Sequence, residues 1–361
     1  MLKRIYADNY RCLVNFEFRP EKINLLVGAN SSGKTSVVRL LENVRDFVVN
    51  GAKAQDLFAL ARTRWEARQV QRVELDLERD GTYKYALELK NIGSPIGTVT
   101  VESETVYFQG GPLFEYRGGT VRLYDDEHKL TATFPFRSDL SYLSNIDARP
   151  LRLAAFRAWL QAIWSFRLNP FAASVASAQG SQVLASDGSN FPSWFRYLNE
   201  SVPEAREALQ ERLRQVIPDF RRFRFEPTGP EPKLLSASFA DKSQAEYTVF
   251  FTELSEGIKV LAALYSILFG LPNASLICVD EPENFVAHAE IQPWLQEFHD
   301  RLDERGTQAL IISHHPEVID YLATGDVFKF DRPTGDVVRC EKVEFDRSKG
   351  LTASEQMFAD A

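Results

Sequence analysis

Residues 28–35 read Gly28-Ala29-Asn30-Ser31-Ser32-Gly33-Lys34-Thr35, a complete G-x-x-x-x-G-K-[ST] run. An apolar strand, Ile23-Asn24-Leu25-Leu26-Val27, precedes it, and Val37, Leu40, Leu41, Val44 and Val48 follow at helical spacing. Strand, loop and helix stand in the order a phosphate-binding loop requires. Gly28 and Gly33 let the backbone curl so that successive N–H groups face phosphate oxygens. The binding stretch on this reading is Gly28, Ala29, Asn30, Ser31, Ser32, Gly33, Lys34, Thr35 and Ser36. The helix N-terminus adds partial positive charge. Lys34 supplies a full charge to the β- and γ-phosphates, and the Thr35 hydroxyl can ligate Mg²⁺. A Gly/Ser-rich turn that merely joins strand to helix would need neither the Lys-Thr pair nor its register with both neighbours.

The chain has 361 residues, a length for two to three domains, with 44% apolar and 25% charged residues, as in ordinary soluble globular proteins. Its net charge of −8 offers no global attraction to nucleic acid or anionic membranes, although a local basic patch remains open. The three cysteines, Cys12, Cys278 and Cys340, are far apart and form no C-x-x-C pair, so neither a disulfide framework nor a zinc site is expected. A reducing cytoplasm fits this cysteine usage. The start, Met1-Leu2-Lys3-Arg4-Ile5-Tyr6-Ala7-Asp8, lacks the apolar core of a signal peptide. The apolar run from Val260 to Leu271 is too short to span a bilayer and suits a buried helix.

Residues 2 to 50 read as two strands, the phosphate loop and its helix. From 70 to 135 the chain turns β-rich: Val70 to Leu77, Tyr83 to Leu89, Gly97 to Val101, Thr105 to Phe108 and Thr120 to Tyr124 read as an antiparallel sheet. Residues 150 to 215 read as mostly helical, with Leu153, Phe156, Leu160 and Ile163 on one face and Ala208, Leu209, Leu213 and Val216 on another. A looser stretch, Asn169 to Ser193, lies between them. Strands return at Phe220 to Phe225, Leu234 to Phe239 and Tyr247 to Phe251. From Thr252 to Val343 helix and buried strand alternate, as in an open α/β sheet. The polar tail after Asp346 is expected to fray.

Three further motifs extend the phosphate loop. In Leu276-Ile277-Cys278-Val279-Asp280-Glu281-Pro282-Glu283-Asn284, an apolar strand ends in acids, and ligands bind at such carboxyl ends. Asp280 is placed to hold Mg²⁺ and Glu281 to orient or polarise an attacking water; an exposed turn or helix start is the bland alternative. In Leu254-Ser255-Glu256-Gly257-Ile258-Lys259, Ser255 is an N-cap candidate for the helix Val260 to Phe269. It gains a functional reading, Ser255 Oγ and the Gly257 N–H donating to a nucleotide phosphate, from its place before Val279-Asp280-Glu281. In Ala309-Leu310-Ile311-Ile312-Ser313-His314-His315-Pro316, a third buried strand ends in a polar cluster. His314 can sense the γ-phosphate or the water; His315 reads as a cap for the helix near Glu317 to Leu322.

Together these motifs resemble the ABC ATPase superfamily, in its SMC- and OLD-related branch of soluble ATPases. Ile5-Tyr6-Ala7-Asp8-Asn9-Tyr10-Arg11, Asp187-Gly188-Ser189-Asn190-Phe191 and Asp280-Glu281-Pro282-Glu283-Asn284-Phe285 are similar to stretches of that branch. The resemblance implies an α/β, ABC-type P-loop ATPase head with an antiparallel β subdomain. A helical subdomain is inserted between the phosphate loop and the signature motif. It divides the chain into an N-terminal lobe (1–150), a helical insertion with returning strands (151–252), a C-terminal lobe (253–345) and a tail (346–361). It implies ATP and Mg²⁺ as ligands, Lys34, Glu281 and His314 as catalytic residues, and Thr35 and Asp280 at the metal. It also implies a head-to-tail homodimer in which Ser255 and Gly257 of one copy close over the nucleotide of the other. A glutamine at a strand end senses Mg²⁺ in this family; Gln109, after Val106-Tyr107-Phe108, is the candidate, in competition with Gln69 and Gln71.

The chain departs from the family at Val286-Ala287-His288-Ala289, where relatives often carry His-Pro, and this leaves the subunit-contacting loop open. Neither a long coiled coil nor the metal-binding nuclease domain of OLD proteins is expected from this sequence. The implied function is an ATPase that dimerises around ATP and governs a separately encoded effector in DNA metabolism or phage (antiviral) defence. A second reading is a DNA-binding, SMC-like repair ATPase, in which Arg212, Arg214, Arg221, Arg222 and Arg224 grip a strand between Phe220, Phe223 and Phe225. Against it stands a plain strand with its phenylalanines inward and its arginines in water. A transporter's ATP-binding subunit is a third reading, although nothing points to a membrane partner. A GTPase is disfavoured, because no Asn-Lys dipeptide exists for guanine recognition. A nucleotide clamp with little turnover also remains open.

Overall fold

The computed structural model describes residues 1–93, 97–226, 232–323, 325–333, 337–346 and 350–359. In chain order the strands before the phosphate loop are β1 (Leu2–Asp8), β2 (Phe16–Phe18) and β3 (Ile23–Val27). The loop leads into α1 (Lys34–Val48), followed by α2 (Ala54–Phe58). Then come β4 (Val70–Glu78), β5 (Thr82–Ile92), β6 (Thr98–Phe108), β7 (Gly111–Arg117), β8 (Thr120–Tyr124) and β9 (Leu130–Pro135). The middle holds α3 (Leu151–Gln161), β10 (Ile163–Phe166), β11 (Ala176–Ser177), α4 (Phe191–Ser201), α5 (Pro203–Val216), β12 (Phe220–Glu226), β13 (Lys233–Ala240) and β14 (Glu246–Phe250). The last third runs α6 (Glu256–Gly270), β15 (Leu276–Asp280), α7 (His288–Arg305), β16 (Gln308–Ile312), α8 (Pro316–Leu322), β17 (Asp326–Asp331), β18 (Arg339–Val343) and α9 (Ala353–Ala359).

A six-stranded sheet in the order β10-β15-β16-β3-β17-β18 forms the centre. Its first five strands are parallel, and β18 closes the edge antiparallel to β17. Successive side chains of a strand point to opposite faces. Leu26, Ile163, Leu276, Cys278, Leu310, Ile312, Phe328 and Phe330 therefore enter one core, with α1, α3 and the antiparallel sheet. Leu25, Val27, Phe166, Ile277, Val279, Ala309, Ile311 and Val327 enter a second core with α4 to α8. Both faces are covered, which explains the near-continuous apolar runs of these strands.

The eight-stranded antiparallel sheet has the order β2-β1-β4-β5-β6-β7-β8-β9. In β4 the residues Val73, Leu75 and Leu77 are buried while Arg72, Glu74 and Asp76 face outward, the alternation of a half-buried strand. The expected strands Gly97 to Val101 and Thr105 to Phe108 are one strand with a bulge: pairing with β5 passes from Glu88–Ser103 to Leu89–Val101, leaving Glu102 over. A small third sheet joins β11, β13, β12 and β14.

Two expectations are corrected. Ile163 does not continue the helical face of Leu153, Phe156 and Leu160. It opens β10, which pairs parallel with β15 through Ile163–Leu276 to Phe166–Val279. The tail after Asp346 is also not simply frayed. Among its described residues, α9 packs on α8, Ser354 N and Oγ donate to the Asp320 carboxylate at 2.7 and 2.9 Å, and Met357 is buried.

Candidate functional site

The carboxyl ends of β3, β15, β16 and β10 converge at the site. Gly28 leaves β3 with φ +139°, and a Cβ there would lie 2.1 Å from the Phe330 carbonyl oxygen, so only glycine admits this approach of the loop to β17. The first turn of α1 has no side-chain cap, which leaves its leading N–H groups open to an anion. Lys34 is buried, and its Nζ folds back to donate to Gly28 O at 2.7 Å, Ala29 O at 2.9 Å and Ser32 Oγ at 3.3 Å. Burial pulls its ammonium below the usual lysine range, against the opposing pull of Asp280 and Glu281.

Across the loop, Thr35 Oγ1 donates to Asp280 Oδ2 at 3.3 Å. Burial pushes the Asp280 carboxyl up, Arg167 opposes that shift, and Glu281 adds to it. Glu281 sits just past the strand with φ +54°, its N–H held by Ile312 O at 2.8 Å. That left-handed turn aims its carboxylate along the strand ends. Asn284 Nδ2 donates to Glu281 Oε2 at 2.8 Å, and His314 Nδ1 stands 3.3 Å from Glu281 Oε1. Glu283 is buried, and Ser313 Oγ donates to its Oε1 at 2.5 Å; burial raises this carboxyl too. The Ser313 hydroxyl thus ties the acid turn to the end of β16. His315 caps α8, its Nδ1 accepting from Glu317 N at 3.3 Å, as its position suggested.

Arg167 is a residue the sequence reading missed. It follows β10 directly, and its guanidinium lies 3.9 Å from both Asp280 Oδ2 and Glu281 Oε2. The signal was the short apolar run Ile163-Trp164-Ser165-Phe166 ending in Arg167, concealed by the helical pattern before it.

Gln109 is not brought to this cluster. It occupies the β6–β7 turn, its N–H donating to Thr82 O. That end of the sheet also carries Glu78, which bonds Met1, and Leu2, whose N–H donates to Gln308 at the amino end of β16. The acids lie at the opposite, carboxyl ends of the same strands. Of its rivals, Gln71 is buried and donates to Asn9 O at 3.1 Å, while Gln69 precedes β4 and is exposed.

Ser255 caps α6, its Oγ accepting from Ile258 N at 3.4 Å. A Cβ on Gly257 would lie 2.8 Å from Phe285 O, so the helix start abuts the loop after the acids. Among the described residues no hydrogen bond links Ser255 or Gly257 to the phosphate loop. The arginine stretch takes the plain form. Phe220 and Phe223 are buried, Arg222 pairs with Glu246, Arg224 with Glu226 and Thr248, Arg221 with Gln244, and Arg212 with Glu297.

A phosphate loop, a hydroxyl–carboxylate pair and a further acid at the ends of one parallel sheet define an ABC- and SMC-related P-loop ATPase head, here without coiled-coil arms among the described residues. The chain belongs to the family described as "AAA domain, putative AbiEii toxin, Type IV TA system", whose model matches residues 23–320. Its fold is similar to an SMC head bound to the C-terminal winged-helix domain of ScpA (12% identity, 96% of this chain and 99% of that one, TM-score 0.56). It is also similar to the Pyrococcus furiosus Smc head with an extended coiled coil, bound to the C-terminal domain of ScpA (10% identity, 97% and 98%, TM-score 0.50). A search of curated proteins finds no match. No helix among the described residues is long and apolar enough to cross a membrane.

Proposed function

We propose that the protein is a magnesium-dependent ATPase whose turnover is shared between two copies of the chain. The observation that carries this reading is the Thr35–Asp280 hydrogen bond, which joins the phosphate loop to the acid-tipped strand. A hydroxyl and a carboxylate side by side are the hard oxygen donors that Mg²⁺ takes while keeping several waters. The residues fit ATP as well. The Lys34 ammonium would exchange Gly28 and Ala29 carbonyls for phosphate oxygens, and the open N–H groups at the start of α1 would receive the same anion. Bound Mg²⁺ would neutralise charge on the phosphates.

Glu281 is then the residue that orients water and accepts its proton, held in place by Asn284 and His314. Arg167 takes the place assigned from sequence to Gln109: it offsets the acid pair before nucleotide enters and presents a guanidinium to the growing phosphate charge. Ser255, exposed at the start of α6, and the half-buried Gly257 beside it complete the site of a second copy. A separate effector would read the paired state, much as the SMC heads cited above carry a ScpA domain. The family description names a putative toxin of a type IV toxin–antitoxin system, which favours a role in such a system or in phage defence, and three free cysteines suit a reducing cytoplasm. The nucleic-acid reading lacks support of its own, because four of the five arginines that suggested it, Arg212, Arg221, Arg222 and Arg224, are paired with Glu297, Gln244, Glu246 and Glu226.

The test is phosphate release against Mg²⁺ concentration, with ATP binding measured in parallel. Glu281→Gln should bind ATP as the wild type does and lose turnover at least a hundredfold. Asp280→Asn should shift the Mg²⁺ requirement upward. Undiminished hydrolysis by Glu281→Gln would remove that residue from the mechanism.

A further inference from the structure

A nucleotide held by the phosphate loop must run in one direction. Its terminal phosphate faces Asp280 and Glu281 at the carboxyl end of β15, two strands to one side of β3. Its nucleoside end therefore leaves on the other side, over β17. On that flank the chain presents an aromatic face. Trp65 is 51% exposed, whereas Trp159, Trp194 and Trp294 are buried. The Arg332 guanidinium lies over the Trp65 indole, 4.4 Å from its centroid.

Both residues sit on segments that abut the phosphate loop or the start of its helix. Arg332 directly follows β17, whose Phe330 carbonyl oxygen is the atom that a Cβ on Gly28 would strike. The loop leading to Trp65 is tied to the β1–β2 connection: Arg11 N donates to Ala61 O at 2.5 Å, Thr63 N to Asn9 O at 3.4 Å, and Tyr10 bridges to Arg62. That connection reaches the start of α1, where Cys12 Sγ lies 3.4 Å from Ser36 Oγ. A single exposed apolar residue is ordinary. An oriented indole–guanidinium pair fixed at the nucleoside end of a phosphate site is a ready stacking platform.

We propose that Trp65, held by Arg332, is the seat of the nucleobase. The inference rests on the nucleotide-binding reading above and adds to it where the base lies and how it is gripped. Stacking on an indole face uses the base's π surface and needs no hydrogen-bond readout, so it favours the larger purine ring over a pyrimidine without separating adenine from guanine. Arg332 covers one face of the ring and fixes its orientation; the exposed remainder receives the base.

The test titrates the full chain with the non-hydrolysable analogue AMP-PNP and, separately, with inorganic tripolyphosphate, which has no base. Trp65→Ala should weaken AMP-PNP about tenfold and leave tripolyphosphate affinity within twofold of the wild type. Trp65→Phe should restore most of the loss. AMP-PNP should quench tryptophan emission in the wild type and much less in Trp65→Phe. Equal AMP-PNP affinity in Trp65→Ala and wild type, with tripolyphosphate still bound, would overturn the base seat alone. Equal losses of both ligands in Trp65→Ala would also overturn it, since the change would then act by distorting the loop. A wild-type chain that binds neither ligand would overturn the phosphate-loop reading and this inference with it.

Discussion

Lys34 bonds three oxygens of its own loop, so in this conformation its ammonium is already engaged. Nucleotide must displace those bonds, and the loss of Lys34 should be felt in binding before chemistry: Lys34→Ala should weaken ATP binding tenfold or more, read by calorimetry. A different residue sets a pH dependence far from the site. Glu104, on β6, is buried on the core face of the antiparallel sheet, accepting from Tyr85 at 3.1 Å and from Ser141 Oγ at 2.8 and 2.9 Å. Burial raises its carboxyl to about 8 from an ordinary 4.5, so the folded chain keeps a proton that the unfolded chain releases. The stability this proton gives is complete below pH 4.5 and is lost as pH rises toward 8. Glu104→Gln should therefore flatten Tm across that window and melt above the wild type at its alkaline end. A parallel decline in both proteins would exclude Glu104 as the cause.

At the scale of elements, what the sequence made readable follows from locality. The phosphate loop, β15 with its acids, and β16 with its histidines are each decided by neighbours within ten residues, and each stands where those neighbours indicate. β10 escaped because its four residues follow a helical run directly and its partner strand begins at residue 276. Arg167 was missed with it. Gln109 was misplaced for a related reason: a strand's end can be recognised in sequence, but which end of the sheet it occupies depends on the pairing of β1 with β4 and of Leu2 with Gln308. The helix α9 is only seven residues long, and its order comes from Asp320 and α8. Removing residues 350–361 should therefore lower Tm by loosening α8. The cap of α6 allows a cleaner separation of roles. Ser255→Ala should cost about 1 kcal/mol of stability. Ser255→Arg should leave ATP bound to the single chain and abolish turnover, and hydrolysis that survives it would disprove a shared site.

For the molecule as a whole, sharing of sites predicts association that depends on ligand. Glu281→Gln with ATP and Mg²⁺ should sediment as a pair of chains, and without ATP, or as the Ser255→Arg double variant, as one chain. A last consequence comes from the central sheet. Its five parallel strands are the common wall of two apolar chambers, and no side chain in that wall can lose its neighbours on one side while its strand keeps full support on the other. Melting either chamber removes the floor of its companion. Calorimetry should thus record a single endotherm whose van't Hoff and calorimetric enthalpies agree, and fragments cut between α3 and α6 should not stay folded apart.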